Sequence, residues 1–224
     1  MEVKSLDIAY NASGAVRAAK RGDVVMVVDI IDMSTTAEAA LDGGAVAVWG
    51  ASPDDTSAPV AVNPAQIGYR AGQKAVKEDT EVILITEPRF GSREEKTANN
   101  QFVLVGINRS RARLGAVLPN IGTEITEFAD FANKVVVIAS QTGGVAFDAA
   151  YNGGAAKVVT GTIVRTKYKK GAQPVEESAR RAIKVAQKYN KGLTLVASSS
   201  NSYEDILAAQ KIAETIVELG FLNT

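Results

Sequence analysis

The 224-residue chain contains neither cysteine nor histidine, and these two gaps remove most of the familiar catalytic machinery. Without cysteine there is no disulfide, thiolate nucleophile or thiolate zinc site, a composition that fits a reducing compartment. Without histidine there is no Ser-His-Asp triad, phosphohistidine carrier, imidazole base or imidazole metal ligand. Acid, base and ligand chemistry falls to Asp, Glu, Lys, Tyr, Asn or water. An excess of one charge is missing too: 25 Lys plus Arg balance 25 Asp plus Glu, so no overall field draws the chain to nucleic acid or an acidic membrane. No apolar run approaches the length of a membrane span, and Met1-Glu2-Val3-Lys4-Ser5-Leu6 lacks the basic-then-apolar order of a secretion signal. The expected setting is the cytoplasm. Neither Gly-x-x-x-x-Gly-Lys-Ser/Thr nor Gly-x-Gly-x-x-Gly occurs, so P-loop hydrolysis and dinucleotide binding lack their usual signatures.

With 46% apolar residues the chain can bury a full core. Strands are expected at 3–9, 24–29, 45–49, 60–63, 82–86, 102–106, 134–139, 157–163 and 193–197, most of them continuous apolar runs of the kind buried on both faces. Between them, apolar residues recur at three- and four-residue spacing over 15–21, 35–42, 64–77, 124–133, 142–152, 174–189 and 203–219. The last carries Ile206, Ala209, Ala213, Ile216 and Val217 on one stripe, and Ser202 with Asp205 reads as a capping box. Gly43-Gly44, Gly153-Gly154, Gly192 and Gly220 follow helical stretches as C-terminal caps would. The alternation predicts one α/β domain over 1–224, a three-layer α/β/α sandwich with a mainly parallel or mixed sheet. Two long connections, 87–100 and 107–122, interrupt it. In the second, Arg109, Arg111 and Arg113 occupy alternate positions, on one face of an extended stretch. No internal repeat is visible along the sequence, and whether copies associate into a homo-oligomer is left open.

Three strands pass straight from small apolar residues into hydroxyl- or glycine-rich helix starts: Asp29 into Ser34-Thr35-Thr36, Ala139 into Ser140-Gln141-Thr142-Gly143-Gly144, and Ala197 into Ser198-Ser199-Ser200-Asn201. The unpaired N–H groups of a helix's first turn attract anions. In a parallel sheet such junctions share the carboxyl edge of the strands, where ligands bind. A small anionic ligand held near Thr35, Thr142 and Ser199 is expected. Gly143 and Gly144 weaken a helix start by about 1 kcal/mol each relative to alanine, a cost that close backbone approach to a ligand would explain. Asp29 ends a strip of valines, where a charge is costly unless paired or metal-bound, and Asp32 follows three residues later. Arg89 or Arg93 could grip an anion with a bidentate fork. The basic run Arg165-Thr166-Lys167-Tyr168-Lys169-Lys170 is short and isolated and reads as a solvated connector.

The order of these features resembles the 2-phosphosulfolactate phosphatase (ComB) family of coenzyme M biosynthesis. The likeness rests on the strand ending in Asp29 and its Ser34-Thr35-Thr36 helix start, then Gly43-Gly44-Ala45, then the loop with Glu87, Arg89 and Gly91. Asn120 and Gly122 come next, followed by Thr142-Gly143-Gly144, and Tyr203-Glu204-Asp205 opens the last helix. It covers most of the chain in order, each motif being short. The resemblance implies a Mg²⁺-dependent phosphatase that cleaves the phosphate ester of a small sulfonated or carboxylated hydroxy acid. Asp29 would hold the metal, with Asp32 and Glu87, or attack as nucleophile. Ser34, Thr35, Thr36, Asn120, Gly122, Thr142, Gly143, Gly144 and Ser199 would bind the substrate. Arg89 would neutralise its second anion, and Asp205 would move a proton. The chain departs from the family pattern where Asp32 stands in place of an Arg and where Pro88 separates Glu87 from Arg89. Asp32 repels a phosphate unless a metal intervenes. The alternative is a non-catalytic paralogue that binds a small anion without turnover.

Overall fold

A computed structural model describes residues 4–31, 33–56 and 58–223. The first half of the chain runs β1 (Leu6–Tyr10), α1 (Asn11–Lys20), β2 (Val24–Val28), α2 (Met33–Asp42), β3 (Ala47–Ala51), α3 (Pro64–Lys77), β4 (Glu81–Thr86), α4 (Arg93–Ala98) and α5 (Gln101–Arg109). The second half runs β5 (Arg113–Pro119), a 3-10 turn (Gly122–Glu127), β6 (Val135–Ala139), α6 (Gly143–Asn152), β7 (Lys157–Gly161), α7 (Gln173–Tyr189), β8 (Leu193–Ala197) and α8 (Tyr203–Glu218).

The strands form two all-parallel four-stranded sheets, ordered β1-β8-β2-β7 and β3-β6-β4-β5. β2 and β6 are apolar throughout, and β4 and β8 are apolar apart from Glu81, Thr86 and Thr194, because successive side chains enter different cores. Val25, Val27, Ile83, Ile85, Val136 and Ile138 meet in one cluster shared by both sheets with α2 and α6. Val24, Met26 and Leu195 point the other way, onto Ala182 of α7 and Ile212 of α8. On the second sheet, Val82, Leu84 and Val137 face Ile67 of α3 and Ile107 of α5. Each sheet therefore lies between helices, the α/β/α layering that the alternation predicts. No helix among the described residues is long and apolar enough to cross a membrane.

The two halves repeat one another, contrary to the expectation of no repeat. In the first sheet Val24 lies between Leu193 and Lys157; in the second Val135 lies between Val82 and Ala47. Each sheet thus takes two strands from one half and two from the other. Both crossing helices end alike: Ala39-Ala40-Leu41-Asp42-Gly43-Gly44-Ala45 and Ala149-Ala150-Tyr151-Asn152-Gly153-Gly154-Ala155 close with Gly44 and Gly154 each at φ +92°. In both, the alanine after that glycine donates its N–H five residues back, Ala45 to Ala40 and Ala155 to Ala150. Elsewhere register coincides while residue types differ, so that along the chain the repeat leaves little more than this short shared stretch.

Several local expectations change. Residues 102–106 lie in a helix, not a strand: α5 buries Val103, Gly106 and Ile107, a helical spacing. Gly106 lies so close to α3 that an added Cβ would come within 2.7 Å of Tyr69 N. Residues 60–63 form no strand, and 124–133 gives only the 3-10 turn. β5 is an edge strand within the expected loop, so Arg109 ends α5, Arg111 sits in a turn at φ +63° and Arg113 opens β5; the three share no extended face. Asn190, at φ +51°, rather than Gly192 caps α7. Ser202 precedes α8 without a side-chain cap bond, and the Asp205 carboxylate, the other half of the expected capping box, accepts from Ile30 N and Ser198 Oγ instead.

Candidate functional site

The β2–α2, β6–α6 and β8–α8 junctions do converge, tied by their own side chains. Asp29, only 2% exposed, turns its Oδ2 to the start of α6, where Thr142 Oγ1 donates at 2.9 Å and Gly143 N at 2.7 Å. A Cβ on Gly143 would come within 2.8 Å of Asp29 Cβ. The close approach that glycine permits here is thus to a carboxylate of the chain itself. Gly144 N donates to Ser140 Oγ at 2.8 Å, and Val145 N to Ser140 O. The first-turn donors of α6 are engaged within the fold.

At the start of α2 the three hydroxyls are engaged within the fold as well. Ser34 Oγ accepts from Asp29 N and donates to Val27 O. Thr35, 5% exposed, donates to Ile30 O and lies 3.2 Å from Thr162 Oγ1. Thr36 donates to Asn120 Oδ1 at 2.7 Å and accepts from Gly122 N at 2.9 Å, which seats the turn after β5 on α2. At the third junction Asp205 accepts from Ile30 N at 2.7 Å and from Ser198 Oγ at 2.9 Å; burial, the largest influence, holds its carboxyl above the ordinary range. Asp205 therefore braces the β2 end instead of capping α8.

Open space lies beside these contacts. Thr142 and Ser199 line a hollow of about 170 Å³ with Asn11 and Gln141, while Thr35 is not among its lining residues. Across Gln141 lies a cleft of about 800 Å³ at the carboxyl ends of β3 and β4, walled by Asp54, Glu87, Arg89, Asn99 and Gln101. Among the described residues no group of three or more acidic side chains is placed to hold a metal ion. Asp29 Oδ2 already accepts two hydrogen bonds. Asp32 lies outside the described residues.

Two buried carboxylates, unmarked by any motif in the sequence, stand at equivalent places on α2 and α6. Glu38, with no exposed surface, receives Arg181 Nη2 at 2.7 Å and Lys169 Nζ. Lys169 also meets Asp42 at 2.6 Å, and Thr166 donates to Asp42, so the basic run is anchored to α2 and is not a freely solvated connector. Asp148, equally enclosed, accepts from Ser52 N at 3.1 Å, Asn63 N at 2.7 Å and Asn152 Nδ2 at 2.8 Å. It pins both ends of the loop that supplies Asp54 to the cleft. The available signal was a single acid among alanines, as in Ala37-Glu38-Ala39-Ala40 and Phe147-Asp148-Ala149-Ala150.

Burial outweighs those three donors and raises the Asp148 carboxyl to about 6. A carboxyl raised in the fold binds its proton there before the unfolded chain does. Stability is therefore lower above about pH 6 and rises as pH falls toward about 4, by roughly 3 kcal/mol in all. Urea unfolding of the wild type against Asp148→Asn should show the wild type gaining on the variant across that window. A pH-independent difference would refute the assignment.

The chain matches no protein-family model, and no curated protein matches it.

Proposed function

We propose that the protein binds a small hydroxylated organic anion, a phosphate ester or a sulfonated or carboxylated hydroxy acid, in the cleft at the ends of β3 and β4, and does not hydrolyse it. The observation that carries this reading is one cleft whose lining includes Arg89, Asp54 and Glu87. A guanidinium fork suits the anionic group, and carboxylates accept from the ligand's hydroxyls. Binding without turnover is favoured because Asp29, the candidate nucleophile, is buried and its Oδ2 holds Thr142 and Gly143. The compartment in this reading is the cytoplasm.

Thermal melting in the presence of 3-phosphoglycerate, sulfolactate and inorganic phosphate, each with and without Mg²⁺, tests it. The two organic anions should stabilise the wild type by about 2.7 kcal/mol at a hundredfold excess over Kd, with no need for Mg²⁺, and Arg89→Ala should abolish the effect. No stabilisation, or an equal one in Arg89→Ala, would refute the reading. Phosphate release that Asp29→Asn abolishes would replace it with the hydrolytic activity implied by the ComB resemblance.

A further inference from the structure

A second cavity, of about 430 Å³, lies away from the carboxyl edge, where β3 of one sheet approaches β7 of the other. Both are edge strands, and they are equivalent strands of the two halves. The cavity follows that equivalence: Leu41 and Tyr151 both line it, as do Ala47 and Lys157, and Trp49 and Val159. The strand order and register are equivalent on both sides of this seam, yet the chemistry is not. One side offers Trp49 and Leu41; the other offers Tyr151 and a lysine.

That lysine is unbalanced. The two other cations of the cavity have partners, Lys74 with Glu78 at 2.6 Å and Arg181 with Glu38 at 2.7 Å. Lys157 has no acidic partner among the described residues, and the charges acting on it are those of Lys188 and Lys74. Although Lys157 reaches solvent at the mouth, desolvation first and these like charges second push its ammonium below the ordinary lysine range. A cation flanked by cations, beside an indole and a phenol in a volume within the usual range of ligand sites, is complementary to an anion joined to a flat ring.

We propose that the seam between β3 and β7 is a second binding site, for a small planar aromatic molecule bearing one anionic group, with its ring against Trp49 and Tyr151 and its anion at Lys157. The competing role for Lys157 is to guard an open sheet edge against pairing with other chains, which needs no ligand.

Trp49 is the only tryptophan in the chain, so its emission reports on the seam alone. Naphthalene-1-sulfonate titrated into the full chain, followed by calorimetry and by Trp49 emission, should bind saturably and alter that emission. Lys157→Gln, an exposed substitution whose fold is checked by circular dichroism, should weaken binding about tenfold, and added salt should weaken it in the wild type. Uncharged naphthalene-1-methanol should bind more weakly than the sulfonate. Arg89→Ala should leave the affinity unchanged, which keeps this site distinct from the cleft. The proposal falls if no saturable binding occurs, if Lys157→Gln binds as tightly as the wild type, or if heat is released without any change at Trp49.

Discussion

Glu38→Ala should cost about 3 kcal/mol of folding stability, the lower end of the loss incurred when one partner of a buried ion pair is removed. Glu38 is fully enclosed, and both its oxygens accept from Arg181 Nη2, at 2.8 and 2.7 Å. Lys169 approaches from the connector before α7. Truncation leaves two cations beside a cavity in α2. Their side chains remain about a fifth exposed, 23% for Arg181 and 20% for Lys169, so water limits the penalty. Glu38→Gln keeps the volume and an acceptor and should cost less. Urea unfolding measures both, and a loss below about 1 kcal/mol in Glu38→Ala would mean that solvent already compensates the cations.

The second large effect is expected at Asp29. Asp29→Ala removes two charge-assisted hydrogen bonds and leaves Gly143 N without its acceptor at the positive end of α6, a combined loss of about 2–3 kcal/mol. Asp29→Asn retains one acceptor oxygen and should lose about half as much. The local readout is hydrogen exchange at the Gly143 amide, which should accelerate in Asp29→Ala more than amides in β8 do. Unchanged protection at Gly143 would show that the helix start finds another acceptor, and the clamp assigned to Asp29 would then be wrong.

The buried strands were largely legible because their pattern is local. Five consecutive buried residues in 24–28, 135–139 and 193–197 announce a strand covered on both faces whatever surrounds it. Residues 102–106 misled for the complementary reason: Val103 and Val105 favour a strand intrinsically, and only the close packing of Gly106 against α3 overrides that preference. β5 lacked the pattern because an edge strand is half exposed.

At the site, the chain's residue types already exclude thiol and imidazole chemistry, and its hydroxyl- and glycine-rich strand ends mark where junctions meet. Their partners are a different matter. That Gly143 faces Asp29, that Thr36 faces Asn120, and that Asp205 reaches Ile30 N depends on two halves exchanging strands, so that residues far apart in sequence become neighbours. Hydrogen-bonding capacity belongs to a residue, whereas satisfaction of that capacity belongs to a fold. Composition and periodicity therefore determined the layers and the available chemistry, and tertiary structure alone decided which donors were left facing a cleft.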